Sequence, residues 1–65
     1  MKVLRIVFND KQGNCLLYKE YEKECFAIVS MRSKCLQVFR QHYLVDTIYF
    51  EDYKQLDSYS IYNYD

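Results

Sequence analysis

The stretch KVLRIVF, Lys2 to Phe8, restricts the fold more than any other part of the chain. Leu4, Ile6 and Phe8 fall on one side and Val3, Arg5 and Val7 on the other, which is the period-two alternation of a strand. One face is fully apolar and must be covered, so the chain needs a sheet and a second layer to pack on it. NDKQGN, Asn9 to Asn14, follows with Asn, Asp and the only glycine, residue types that tolerate positive φ in a hairpin loop. This predicts a second, antiparallel strand over residues 15–21.

The middle of the chain reads as helical. Placed at 100° steps from Ser33 to Tyr43, Cys35, Leu36, Val38, Phe39, His42 and Tyr43 gather on one arc, with Lys34, Gln37, Arg40 and Gln41 opposite. Met31, Ile28 and Cys25 extend that arc backward, and only Phe26 and Arg32 disagree. A single helix over about 22–43 is the preferred reading. The alternative is a strand over 25–31 and a shorter helix with Ser33 as its N-cap.

VDTIYFE, Val45 to Glu51, is β-branched and aromatic and predicts a strand paired with the first one, whose apolar character makes it the natural centre of a sheet. DYKQLD is turn-like, and SYSIYNY suits a fourth, edge strand. The expected fold class is therefore α+β. A small two-layer domain would carry three or four mostly antiparallel strands with one helix on one face, in the order ββαβ(β). Residues 1–65 are read as a single domain, with 52–65 a Tyr/Asp-rich edge strand or tail.

A chain of 65 residues buries only about 60% of the surface its unfolded form exposes, so small domains of this kind lean on extra support. Half the residues are hydrophobic and there are eight Tyr and four Phe, enough apolar area to favour a packed domain over disorder. The longest apolar run, Cys25 to Val29, is far below the roughly 20 residues that span a bilayer. With an odd number of cysteines, three, the expectation is a soluble cytoplasmic protein with reduced thiols and no membrane partner. Net charge is zero, but residues 1–44 carry eight basic against four acidic side chains (+4) and residues 45–65 one against five (−4).

No residue constellation points to catalysis. Cys15, Cys25, Cys35 and His42 have the composition of a zinc site, but no two cysteines are close enough in sequence to form a chelating knuckle. On a continuous helix Cys35 and His42 would stand about 10 Å apart, too far to share an ion or to act as a nucleophile and base. Glu20, Glu22 and Glu24 interleave with Lys19 and Lys23 as a solvated face does, and Glu51 with Asp52 reads as a strand exit. The expectation is no enzyme, no metal and no cofactor. Lys2, Arg5, Lys11, Lys19, Lys23, Arg32, Lys34 and Arg40 allow an alternative reading as a small nucleic-acid-binding regulator using a basic helix face. They are scattered rather than striped, so nucleic acid is the less favoured partner.

With one helix covering one face of the sheet, the other face would stay open and carry Val3, Arg5, Val7, Thr47 and Tyr49. Tyr53, Asp57, Tyr59, Tyr62 and Tyr64 of the tail add rigid aromatic area and negative charge, suited to docking on a partner with a basic surface. The candidate partner-binding set is therefore Val3, Arg5, Val7, Tyr49, Tyr53, Asp57, Tyr59, Tyr62 and Tyr64. The short chain, the strand MKVLRIVF at its start and the abundance of Lys, Tyr, Asn and Asp resemble the small early host-takeover proteins of T4-like phages. The element order is similar to that of their Dmd-type antitoxins, over about 50 residues of layout. That resemblance implies a stoichiometric inhibitor of a host or defence protein, and carries over no functional residue. A homodimer formed through the open sheet face is a further expectation.

Overall fold

The computed structural model describes residues 3–22 and 24–64. They form six strands: β1 (Val3–Asn9), β2 (Cys15–Tyr21), β3 (Cys25–Ser30), β4 (Cys35–Arg40), β5 (Tyr43–Tyr49) and β6 (Ser58–Tyr64), with one 3₁₀ turn (Phe50–Asp52). Two three-stranded antiparallel sheets result, ordered β2-β1-β6 and β3-β4-β5. The Cα envelope of 32 × 26 × 13 Å is thin in one direction, as two stacked sheets require.

The α+β expectation is overturned, because the described residues contain no α-helix. Residues 25–40 are a β-hairpin turned at 31–34, and residues 35–49 a second one turned at Gln41 and His42. The strand half of the alternative reading, over 25–31, matches β3, whereas its helix from Ser33 does not form. The misreading has a physical origin. In β4, Leu36 and Val38 enter the core while Cys35 and Phe39 are covered on the other side, so apolar residues stand at consecutive positions and at spacings of three and four. That spacing is also a helical stripe. Gln41 takes φ 56° and Lys34 φ 53°, so both turns use left-handed backbone at positions without the Gly, Asn or Asp that usually supplies it.

The expected pairing of the Val45 strand with β1 is also corrected: β5 pairs with β4, in the other sheet. β1 is the centre of its own sheet, flanked by β2 and β6. The loop between β1 and β2 is held by Asp10, whose carboxylate accepts from the Gln12 and Asn14 N–H groups at 3.0 and 2.8 Å. Gly13 supplies the φ of 85° that this loop needs.

Leu4, Ile6 and Phe8 are fully buried against Leu36 and Val38 of β4, with Cys25 and Ile48 completing the core. The connection from the second sheet back to the first packs on the same core. Phe50, Tyr53 and Tyr59 surround Phe8 with ring centroids 5.8, 5.3 and 6.3 Å away. The Phe50 N–H donates to the Lys34 carbonyl at 3.1 Å, and the Asp57 N–H to the Asn9 carbonyl at 2.9 Å, so the connector is tied to both sheets.

Candidate functional site

Cross-strand partners in an antiparallel sheet project to the same side, so the registers fix what each outer face carries. On the first sheet, Glu20, Arg5 and Tyr62 stand in one row and Tyr18, Val7 and Ser60 in the next. Arg5 Nε donates to the Glu20 carboxylate at 3.1 Å, and the Tyr18 hydroxyl donates to the same oxygen at 3.0 Å. This face is polar and internally paired.

The outer face of the second sheet is different. Its rows are Phe26–Phe39–Leu44, Ile28–Gln37–Thr47 and Ser30–Cys35–Tyr49, without a charged side chain among them. The Phe26 and Phe39 rings stack at 5.7 Å, and Phe26, Ile28, Leu44 and Tyr49 remain 43%, 48%, 54% and 51% exposed. A β-bulge produces the row that Leu44 completes. The register shifts between Val38 and Phe39, leaving Val45 as the extra residue, and this sends Leu44 outward and Asp46 inward. Fully burying a side chain of this size is worth about 1.5–3 kcal/mol, so four half-exposed ones hold about 3–6 kcal/mol for a surface that covers them.

Asp46 closes the edge of the sandwich between β5 and β2. Its carboxylate accepts from the Tyr21 hydroxyl at 2.6 Å, from Lys19 Nζ at 2.9 Å and from the Thr47 N–H at 2.8 Å. Burial alone would raise its pKa. The Tyr21 hydrogen bond, then the bond and charge of Lys19, outweigh that and hold the carboxyl below its usual range. Burial, followed by the hydrogen bond to Asp46 and its charge, pushes the Tyr21 hydroxyl well above its ordinary value. This cluster joins the two sheets, and every polar group in it serves another.

The sequence-derived set is divided by the fold. Val3, Arg5, Val7 and Tyr62 lie on the outer face of the first sheet, while Tyr49 lies on the outer face of the second, with Thr47 in the row beside it. Tyr53 and Tyr59 turn their rings onto Phe8, and Asp57 is exposed where β6 begins. The backbone of Tyr64 pairs with Val3, and its side chain, like Lys2, Lys23 and Asp65, lies outside the described residues. The open face expected to hold Val3, Val7, Thr47 and Tyr49 together does not exist, because these residues belong to opposite sides of the sandwich. Phe26, Ile28, Phe39 and Leu44 were absent from the set. The signal that would have found them is the two-residue alternation of Phe26 and Ile28 with the inward-facing Cys25, Ala27 and Val29.

The basic helix face is corrected in the same way: Lys34 sits in a turn, and Arg40 on β4 donates to Glu22 at 3.4 Å. Cys15 is exposed at the start of β2, Cys25 and Cys35 are buried in separate strands and His42 is exposed in the β4–β5 turn. Among the described residues no three His, Cys, Asp or Glu side chains are grouped so as to hold a metal ion. No helix among them is long and apolar enough to cross a membrane. Open clefts lined by Met31, Phe50, Tyr53 and Leu56, and by Tyr21, Cys25, Arg40 and Val45, lie outside the Phe26–Phe39–Leu44 row. Compared with protein-family models, with curated proteins and with solved structures, the chain matches none.

Proposed function

We propose that this chain is a non-enzymatic protein-binding module that inhibits or modulates a protein partner through the outer face of its second sheet. The observation that carries the reading is the uncharged face built from Phe26, Ile28, Phe39, Leu44 and Tyr49. A solvated sheet face alternates to polar residues, and contiguous apolar surface on a small domain marks contact sites. Its stacked Phe26–Phe39 pair and Tyr49 are of the aromatic types enriched at the cores of protein interfaces. Because the face offers no charge, the partner it fits presents a neutral apolar surface of its own, with ion pairs confined to the rim. A host or defence protein, as the likeness to phage early proteins implies, is the kind of target such a stoichiometric binder would take.

The test is affinity capture from bacterial lysate at physiological salt, followed by titration of the recovered protein in purified form. Wild type and an Arg5→Ala/Glu20→Ala control should retain the partner, and Phe26→Lys/Leu44→Lys should lose it. Failure of the wild type to bind any protein, or undiminished binding by the Phe26/Leu44 variant, refutes the reading.

A further inference from the structure

We infer that the free edge of β6 pairs with β6 of a second copy of this chain, joining two three-stranded sheets into one continuous six-stranded sheet about a two-fold axis. Among the described residues no strand runs along the far side of β6. An edge strand is a template for another strand, and soluble proteins guard it with charge, proline, bulges or brevity.

The other edges of this fold carry such guards. β2 turns Lys19 toward the core side and carries Glu20 on the other. β5 contains the bulge at Val45 and the inward Asp46, and these two edges are tied to each other by the Lys19–Asp46 ion pair. β3 is one residue shorter and is entered through Glu24, whose φ of 69° bends the chain at the strand's start.

β6 has none of these features. Ser58 to Tyr64 is seven residues without a charge, a proline or a glycine, and its register with β1 runs unbroken from Asn9↔Ser58 to Val3↔Tyr64. An unkinked strand presents its outer backbone groups in a straight row, which is what strand addition needs.

The occupant follows from charge. A two-fold antiparallel contact sets residue i against residue j of the copy and j against i, so charges of one sign within the strand would be gathered along the seam. Ser58–Tyr64 brings no charge to that seam, and the chain as a whole has a formal net charge of zero, so the paired strands themselves set no like charges together. The side chains of the strand, Ser, Tyr, Ile and Asn, are all neutral, so their cross-seam pairs carry no charge penalty. This surface is distinct from the outer face of the second sheet, and it stands whether or not that face binds a foreign protein.

The experiment is sedimentation of the full chain from low-micromolar to near-millimolar concentration, with two variants. Ser58→Lys/Asn63→Lys changes exposed positions on β6 and places lysines along the seam. Leu44→Lys changes only the apolar face. The expected result is a wild-type monomer–dimer equilibrium that Leu44→Lys leaves intact, whereas the β6 variant raises the dissociation constant by about tenfold or more.

A monomer at every concentration overturns the proposal. So does a dimer that Leu44→Lys abolishes and the β6 variant preserves, because that places the contact on the sheet face. If the β6 variant fails to fold by circular dichroism, hydrogen exchange on the wild type decides. Slower exchange of the β6 amides at high concentration supports the pairing, and unchanged exchange refutes it.

Discussion

The two outer faces of this sandwich are built from strands of similar length and share one core, yet they are finished differently. On the first sheet the central row is Glu20–Arg5–Tyr62, with an ion pair whose partners are 40% and 46% exposed. On the second it is Phe26–Phe39–Leu44 or Ile28–Gln37–Thr47, with no charge at all. The first sheet buries Leu4, Ile6 and Phe8 on its inner side and the second Leu36, Val38 and Ile48, so the requirements of folding do not explain the contrast. Selection for solubility alone would make both faces resemble the first. The proposed function accounts for the contrast: the first face is finished for water, and the second for the apolar surface of a partner.

The contrast exists only while one core holds the two sheets together, so the largest break is made there. Phe8 is fully buried and is the ring on which Phe50, Tyr53 and Tyr59 converge. Phe8→Ala should cost about 3–5 kcal/mol, enough to unfold a domain of this size at ambient temperature, and urea denaturation measures it. A loss below about 1 kcal/mol would mean that the connector, and not this aromatic cluster, joins the layers.

A smaller break opens the sandwich at its edge. Asp46→Asn removes the charge that Lys19 and Tyr21 share, and should cost about 1–2 kcal/mol, the scale of a charge-assisted hydrogen bond at a partly exposed site. The pH dependence has a definite sign. A depressed carboxyl stabilises the fold above its unfolded value of about 4, and that contribution is lost as pH falls through the lower folded value. A raised phenol acts in the opposite direction. Tyr21 contributes below its unfolded value of about 10 and loses that contribution as pH rises toward the folded value. Stability should therefore fall at both ends. Asp46→Asn should flatten the acid limb and Tyr21→Phe the alkaline one, in chemical denaturation followed across pH. If neither variant alters its limb, the Lys19–Tyr21–Asp46 cluster does not couple the sheets.

The difference between the faces also sorts what was legible in the sequence. β1, its Asp10–Gly13 loop and β2 were readable because Leu4, Ile6 and Phe8 alternate with half-exposed residues and the loop carries Asn, Asp and Gly. β6 was readable as an edge strand, although its partner was not, since Phe50–Asp57 carries the chain from one sheet to the other. The second sheet was hidden by the apolar character of both its sides. A strand covered or apolar on both sides has no alternation, so Cys35, Leu36, Val38 and Phe39 imitate a helical stripe. The turns gave no warning, because Lys34 and Gln41 take positive φ without Gly or Asn. The apolar outer face thus concealed both the strands and the site, and a sheet with a solvated face would have been recognised.

Leu44 tests the site with little cost to the fold. It projects from the outer face and is about half exposed, so Leu44→Ser should change stability by less than about 1 kcal/mol. It should also lower binding of an apolar dye and raise the solubility limit, because it interrupts the Phe26–Phe39–Leu44 row. If stability falls by several kcal/mol, the face belongs to the core and the two sheets are not comparable.

The smallest effect sharpens the comparison from the other side. Arg5 and Glu20 are both more than one-third exposed, so solvent screens their attraction, and their coupling in a double-mutant cycle should be about 0.2–1 kcal/mol. It should shrink further at 1 M salt, where the screening length is about 3 Å. Neither Arg5→Ala nor Glu20→Ala should alter retention of a partner held by the second sheet. A coupling of several kcal/mol, or loss of the partner in either variant, would show that the row is an organised site rather than a solvated face. The contrast between the sheets would then be one of polar against apolar recognition, with two partners to account for instead of one.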